Sequence, residues 1–444
     1  MKILFLMNFF PFPRVPPRGG YEMWCLEVCD GLLSRGHNVR VLASNHLAGA
    51  ITGDDYSHVL RELELELSME TGAAWRQFAW GKRRRERRNL GRLSRVLAEF
   101  DPDVVLIWAM WNLPISLAAL AEAERPVVYY VGDLWPLEPS QVYRYLDTPS
   151  RNPGRRWLKQ ALARLAAASL PPPVLPVDVL RFQHALCPSR FIREHLRAVG
   201  VPASHLAIVQ GAIDTARFAE GNPGPALERG DRPFRLLWVG RVAEGKGVET
   251  AIRAVGQLAR GSGLDVDLAV VGPGADHYLR ALRALAAAEG VDSLVSFVGP
   301  VAQVDLPGLY GGFDAFVFTS ELEESFGRVL VEAMAAGIPV VSTAGASATN
   351  EILDDGRFGL LFKPGDWDAL AQQISRLACD GELRRRLSTE ARAWACSRFD
   401  TSRMVREIEE HLERAAAGAV PAEPDQREQA SASHPARPVQ RSRD

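Results

Sequence analysis

Two carboxylates, Glu324 and Glu332, lie eight positions apart around a predicted loop-to-helix junction. The apolar run 315–319 predicts a buried strand before them, and the pattern from Gly327 predicts a helix that ends at Gly337. The first N–H groups of a helix lack intrahelical partners and carry the positive end of its dipole, so they attract phosphate. Carboxylates accept hydrogen bonds from sugar hydroxyls. This spacing predicts a site for a phosphorylated sugar, although an acidic loop before an ordinary helix explains these two residues equally well.

Two cations, Arg241 and Lys246, lie five residues apart after a predicted strand at 235–239. Gly240 provides the turn, and a helix is predicted from about Val248. Arginine grips two oxygens with its planar fork and lysine adds a point charge, which suits a diphosphate that gains negative charge as it leaves. A solvated basic turn explains this segment by itself. Together with the acidic segment, it favours an anion site at the carboxyl ends of two strands.

The combined pattern resembles glycosyltransferase family 4 over nearly the whole chain, to about Arg414. The resemblance is carried by Gly-Arg at 240–241, Lys-Gly at 246–247, the two glutamates with Phe-Gly at 326–327, and the run EAMAAGIPVV at 332–341. It implies the GT-B fold, an α/β architecture in which two Rossmann-like domains with parallel sheets face each other across a cleft. It also implies transfer of a sugar from a nucleotide donor with retention at the anomeric carbon.

Carried over residue by residue, the resemblance places Arg241 and Lys246 on the diphosphate and Glu332 on the ribose. Glu324 and the backbone of 326–329 are then expected at the donor sugar and phosphates. The predicted donor-binding residues are Gly19, Gly20, Gly240, Arg241, Lys246, Glu324, Ser325, Phe326, Gly327, Arg328, Val329 and Glu332. The predicted catalytic residues are Arg241, Lys246, Glu324 and Asp133.

The first half of the chain carries the predicted acceptor side. Gly19 and Gly20 follow the first strand, and two glycines there let the backbone approach a diphosphate closely, although a flexible loop also explains them. After the strand at 127–131, many family members carry a His where this chain has Gly132. Asp133 can instead accept a hydrogen bond from the acceptor hydroxyl or the donor sugar, or simply cap a turn. Trp135 is predicted to stack on an acceptor ring.

Alternating short apolar strands and helices indicate parallel sheets covered on both faces, and 444 residues exceed what one core supports. The predicted strands are 3–8, 39–44, 104–108, 127–131, 207–210, 235–239, 267–271, 295–298, 315–319, 340–342 and 360–362. The predicted domains are an acceptor-side Rossmann-like domain at 1–215, a linker at 216–233, a nucleotide-sugar-binding Rossmann-like domain at 234–390, C-terminal helices at 391–415 that pack back on the first domain, and a disordered tail at 416–444.

Composition narrows the class of protein. The formal net charge of -2 gives no reason to expect nucleic acid as a partner. Five cysteines cannot form a complete disulfide framework, and Cys25 with Cys29 lack a second ligand pair, so core thiols are expected rather than a metal site. The apolar start meets Asn8 and Pro11 without a cleavage site, and no run is long enough to span a bilayer, so a cytoplasmic protein is expected.

No metal or other cofactor is expected beside the nucleotide sugar, which is a co-substrate. The acidic pair Asp265 and Asp267 lies at the start of a predicted strand, away from the site. The segment at 271–274 begins a dinucleotide fingerprint, but His277 stands where the third glycine belongs, which argues against NAD.

The basic run at 82–88 follows three aromatic residues and precedes a predicted helix at 90–100. Such a cluster holds proteins on anionic lipid, here at the inner face of the membrane, although a solvated helix face fits as well. The acceptor expected from the family is a glycan, a lipid-linked sugar or a small molecule, as in polysaccharide biosynthesis. Two other functions stay open: a nucleotide-sugar epimerase or hydrolase on the same scaffold, and a catalytically silent binding subunit.

Overall fold

The computed structural model describes residues 1–12, 19–46, 56–66, 74–138, 157, 174–220, 232–261, 263–345 and 348–419. These residues form two compact units. The first contains the described residues of Met1–Val209 and of 405–419, and the second contains those of Gln210–Met404. No helix in the described part of the chain is long and apolar enough to cross a membrane.

The first unit is built on a seven-stranded sheet with the order β3-β2-β1-β4-β5-β6-β7, in which every pair is parallel. Its strands are β1 Lys2–Leu6, β2 Asn38–Ser44, β3 Val59–Leu63, β4 Val104–Ile107, β5 Val127–Tyr130, β6 Ala185–Cys187 and β7 Leu206–Ile208. Its described helices are α1 Gly20–Ser34, α2 Ala74–Phe100, α3 Ser116–Glu124 and α4 Arg190–Ala198. The central strands β1, β4 and β5 are buried apart from Lys2, as expected for parallel strands covered on both faces.

The second unit has a six-stranded parallel sheet with the order β10-β9-β8-β11-β12-β13. Its strands are β8 Phe234–Val239, β9 Val266–Val271, β10 Val295–Gly299, β11 Ala315–Phe318, β12 Val340–Thr343 and β13 Leu360–Phe362. Its described helices are α5 Thr215–Ala219, α6 Val248–Gly261, α7 Asp276–Ala288, α8 Leu306–Tyr310, α9 Arg328–Ala335, α10 Ala348–Ile352, α11 Trp367–Cys379 and α12 Gly381–Arg398. A last helix, α13 Thr401–Ala416, begins in this unit and ends in the first.

In both sheets the first strand lies in the interior, and the order in which later strands are added reverses beside it. This is the Rossmann arrangement. The predicted α/β class with two Rossmann-like parallel sheets is therefore confirmed. In such sheets ligands bind at the carboxyl ends of the strands that flank the reversal. Those strands are β1 and β4 in the first unit, and β8 and β11 in the second.

The structure departs from the local predictions in two respects, and two further predictions lie outside the described residues. Strands β3 and β6 were not predicted. The helix expected from residue 90 begins at Ala74, so the basic run lies within α2 rather than before a helix. The sequence also predicts a helix at 155–168, which lies outside the described residues apart from position 157, and the predicted tail lies outside them from residue 420.

Candidate functional site

The loops after β8 and β11 bring together two residues that the sequence separates widely. Lys246 and Glu324 are 78 positions apart, yet Lys246 Nζ lies 2.5 Å from Glu324 Oε1. The Ser320 hydroxyl donates to the same carboxylate oxygen over 2.7 Å. Both charged side chains are about one-fifth exposed. The pair therefore lies at the sheet reversal and remains open to a ligand.

The backbone around Lys246 is fixed by the end of β11. The Trp238 indole donates to the Thr319 hydroxyl over 3.0 Å, and that hydroxyl donates to the Lys246 carbonyl oxygen over 3.1 Å. Gly247 has φ +71°, and a Cβ there would lie 1.9 Å from the Thr319 carbonyl oxygen. Because only glycine fits this close approach, Gly247 allows the backbone that carries the Lys246 ammonium group to lie against the carboxyl end of β11.

Arg241 is exposed at the carboxyl end of β8. Within the described ranges its guanidinium makes no hydrogen bond or ion pair, so its donors are available to an anion. The nearby glycine motif at 272–274 has a packing role instead. A Cβ on Gly272, which has φ +138°, would lie 1.8 Å from the Gly240 carbonyl oxygen. Close contact between two loops thus explains the partial dinucleotide fingerprint.

The predicted loop-to-helix junction is present: Gly327, with φ +141°, immediately precedes α9. The Phe326 side chain is buried, with its ring 5.7 Å from that of Phe399. Ser325 and Val329 are partly buried. The Phe326 ring thus belongs to the core of the second unit, and the start of α9 supplies N–H groups without intrahelical partners.

Glu332 lies inside α9 and is 2% exposed. Arg328 Nε donates to one carboxylate oxygen over 3.2 Å, and the Tyr310 hydroxyl donates to the other over 3.0 Å. Burial, and then the nearby Glu332 charge, raise the pKa of Tyr310. Arg328 also donates to the Ala212 carbonyl oxygen over 3.3 Å. Glu332 thus anchors two neighbours, and its carboxylate is nearly closed to solvent.

In the first unit, α1 begins at Gly20 as predicted, and a Cβ on Gly19 would meet nothing within 4 Å. Tyr21 follows, and its ring occupies the space beside Gly132, where a Cβ would lie 2.0 Å from the ring. The Tyr21 hydroxyl accepts from the Gly132 N–H over 3.1 Å and contacts the carbonyl oxygens of Trp108 and Tyr130. Tyr21 therefore fills the place that a side chain at position 132 would take.

Asp133 is partly buried at the carboxyl end of β5. The Trp111 indole donates to its Oδ2 over 2.5 Å and the Trp135 N–H donates to its Oδ1 over 2.9 Å. Burial raises the pKa of Asp133 to about 6, and these hydrogen bonds offset part of that rise. The bond from the Trp135 N–H shows that Asp133 caps a turn, which was one of its two predicted roles. Each carboxylate oxygen keeps a further lone pair for an acceptor hydroxyl.

The Trp135 ring is 4% exposed and packs against Tyr129 and Phe182, with ring centroids 6.3 and 5.9 Å away. Its ring packs into the core of the first unit and is therefore not available to stack on an acceptor ring. Trp111, which is partly exposed and holds Asp133, was not predicted. Its position directly after β4, at the carboxyl edge of the sheet, was the available signal.

The basic run in α2 divides into two groups. One group pairs with the residues that follow β3: Arg88 contacts the Glu64 carboxylate at 2.5 Å and Lys82 lies 3.6 Å from Glu66, while Arg92, just beyond the run, also contacts Glu64 at 2.8 Å. The other group, Arg83, Arg84 and Arg87, is exposed. Part of the run is thus structural, and three cations face solvent.

The described residues contain no group of three His, Cys, Asp or Glu side chains arranged to hold a metal ion. Cys25 and Cys29 are buried in the first unit, where Cys25 Sγ lies 3.2 Å from the Met7 sulfur and Cys29 Sγ lies 3.5 Å from His58 Nε2. Asp265 and Asp267 lie at the amino end of β9, at the opposite edge from Lys246.

Two family models match consecutive parts of the chain: "Glycosyltransferase Family 4" over residues 18–217 and "Glycosyl transferases group 1" over residues 225–394. A curated relative, the GDP-mannose-dependent alpha-(1-6)-phosphatidylinositol monomannoside mannosyltransferase of Mycolicibacterium smegmatis, is 30% identical over 412 residues. That match covers 88% of this chain and 93% of the relative.

Solved structures with the same architecture include the sucrose-phosphate synthase of Thermosynechococcus elongatus, with a TM-score of 0.69 and 17% identity over 94% of this chain and 100% of that one. The Anabaena HepE structure in complex with UDP and glucose has a TM-score of 0.63 and 20% identity over 93% of this chain and 99% of that one. At these identities the likeness concerns the fold, and the predicted GT-B fold is confirmed.

Proposed function

Since this chain belongs to glycosyltransferase family 4, we propose that it moves a sugar from a nucleoside-diphosphate sugar to an acceptor hydroxyl, with retention at the anomeric carbon. The observation that carries the proposal is the Lys246–Glu324 pair at the reversal of the second sheet. A cation that binds diphosphate and a carboxylate that binds sugar hydroxyls are adjacent there. The second unit is the proposed donor-binding domain.

In the proposed reaction, the diphosphate displaces Glu324 from Lys246. As the bond from the anomeric carbon to the phosphate oxygen breaks, the diphosphate gains negative charge, so a preformed cation is attracted more strongly to the transition state than to the bound donor. Arg241 adds a planar fork from the exposed end of β8. The released Glu324 carboxylate accepts hydrogen bonds from the sugar, with Ser320 keeping it in place.

These groups can neutralise a diphosphate without an ion, and we therefore propose a reaction that needs no metal. A chelator such as EDTA should leave the rate unchanged. A rate that falls with EDTA and returns with a divalent cation would contradict this part of the proposal.

The first unit is the proposed acceptor domain, with the ionised Asp133 accepting a hydrogen bond from the acceptor hydroxyl. A lipid-linked acceptor is favoured because the curated relative is named for a phosphatidylinositol monomannoside substrate. The exposed cations Arg83, Arg84 and Arg87 would then contact anionic headgroups at the inner face of the membrane. The base of the donor is left to experiment, since GDP-mannose and UDP appear in different relatives' names.

A thermal-shift screen of UDP, GDP and ADP tests the donor site before the sugar is known. A ligand at 100 times its dissociation constant adds about 2.7 kcal/mol to the free energy of unfolding. We expect one diphosphate to raise Tm in the parent and to lose most of that effect in Lys246→Ala. No shift with any of the three would contradict the proposed donor class.

A further inference from the structure

A cavity of about 370 Å³ opens at the amino ends of strands in the first sheet, whereas Asp133 lies beyond the carboxyl end of β5. It lies where β5 begins at Val127 and just before β6 and β7, and Gly418 lines it beyond the end of α13. Its polar lining includes Glu122, Arg125, Arg181, His184 and His205. The volume is at the small end of the range for ligand pockets, which suits a sugar-sized molecule.

The lining carries two guanidinium groups and one carboxylate, Glu122, and each guanidinium is already held by an ion partner, Arg181 by Glu122 at 3.6 Å and Arg125 by Asp101. Glu122 accepts from the backbone N–H groups of Arg181 and Phe182 over 3.0 and 3.2 Å, and from the Tyr129 hydroxyl over 2.8 Å. The Arg181 guanidinium donates to the Glu122 carbonyl oxygen. Arg125 is held by the Glu124 carbonyl oxygen and by Asp101, both at 2.8 Å. Both guanidinium groups are thus positioned, with donors remaining for an anion.

Two imidazoles complete the lining. His205 Nδ1 is buried and has no hydrogen-bond partner among the described residues, which is costly for a polar atom unless a ligand satisfies it. His184 lies near His205 and near Arg414 of α13, and burial followed by these positive neighbours lowers its pKa. His411, also on α13, has its pKa lowered to about 4 by burial, Arg414 and His184. A bound anion would offset these positive neighbours and favour the protonated rings.

We infer that this cavity binds a phosphate-bearing small molecule, with Arg125, Arg181, His184 and His205 contacting the phosphate oxygens. The paired guanidinium groups suit a phosphate, and the buried His205 nitrogen supplies a hydrogen bond. The ligand is separate from the sugar acceptor, because the cavity lies at the amino end of β5 and Asp133 lies beyond its carboxyl end.

NMR of protein labelled at the histidine ring carbons tests the inference, with His184→Gln and His205→Gln assigning two of the nine histidine signals. Inorganic phosphate is titrated at constant ionic strength near pH 6.5, the ordinary histidine pKa. We expect saturable shifts of both signals with a dissociation constant of about 1 mM or tighter. Their titration midpoints should rise, because a bound anion favours the protonated rings. The effect should weaken at least tenfold in Arg181→Gln.

Lys246→Ala is the matched control, because it removes the cation of the proposed donor site and should leave these two signals responsive to phosphate. Vesicles of phosphatidic acid distinguish two sources of the phosphate. If the vesicles shift the same two signals, the ligand is a lipid headgroup; if they do not, it is a soluble phosphate ester. The inference is overturned if neither signal responds saturably to phosphate in the parent protein. It is also overturned if the response disappears in Lys246→Ala and persists in Arg181→Gln.

Discussion

Lys246→Ala should separate the catalytic role of this residue from its role in the folded structure. The Lys246–Glu324 pair is partly exposed on both sides, and such pairs contribute roughly 0–1 kcal/mol to stability. Loss of one preorganised group that stabilises a developing anion costs about 2.7–4 kcal/mol in the transition state, or roughly 10²–10³ in kcat. We therefore expect kcat to fall by that factor while Tm changes little. The apparent affinity for the donor should fall less than kcat.

The assay is steady-state release of nucleoside diphosphate with an authenticated donor and acceptor, together with a thermal unfolding curve for each variant. Arg260→Ala is the matched control, since Arg260 also pairs with a glutamate, Glu289 at 2.9 Å, but lies at the far end of α6. It should leave kcat unchanged. A Lys246→Ala enzyme with kcat close to the parent value would mean that Lys246 only makes a surface ion pair, and the placement of the donor site would be wrong.

The remaining predictions concern other parts of the chain. Because burial raises the pKa of Asp133 to about 6, above about 3.9 for an unfolded Asp, the folded state binds more protons between these values and stability should fall as pH rises through them. Because the proposed acceptor contact needs the ionised Asp133, kcat/KM should rise with pH with a midpoint near pH 6. An unchanged profile in Asp133→Asn would rule out this carboxylate. Glu332→Ala should cost about 3–5 kcal/mol in chemical denaturation, since it leaves the Arg328 guanidinium, whose side chain is only 11% exposed, without its carboxylate partner; a loss below 1 kcal/mol would argue against the anchoring role. Changing Arg83, Arg84 and Arg87 to Gln should reduce the free energy of binding to anionic vesicles, measured by sedimentation, by about 1 kcal/mol per charge and leave nucleotide affinity intact. If the parent does not bind vesicles, these residues are only a solvated helix face. Deleting 421–444 should leave folding and turnover unchanged, and insoluble protein would contradict this.

The apolar runs predicted most of the fold because parallel strands buried on both faces consist of consecutive apolar residues. The runs at 235–239 and 315–319 correspond to β8 and β11 within a residue at either end. Strand β3, Val59–Leu63, escaped prediction because Arg61 and Glu62 interrupt its apolar residues and it is mostly half-buried at the sheet edge. Strand β6 has three residues, too few for a periodic pattern.

The site was predictable where residue type and strand position coincide, as for Lys246 and Glu324. Their direct pairing was not, because no local signal exists for a contact between residues that are 78 positions apart. The same holds for Tyr21 and Gly132, which are 111 positions apart. Trp135 was expected to face an acceptor, but Phe182 and Tyr129 enclose its ring, and such packing partners come from distant parts of the chain.

The anomeric configuration of the product tests the proposed reaction most directly. The enzyme is incubated with the nucleotide sugar identified by thermal shift and with a lipid-linked or soluble acceptor, and the one-bond carbon–hydrogen coupling at the new anomeric centre is measured by NMR. We expect a new glycoside with the same configuration as the donor, formed together with one nucleoside diphosphate for each sugar transferred. An inverted product, or free sugar without a glycoside, would contradict retaining transfer by this chain.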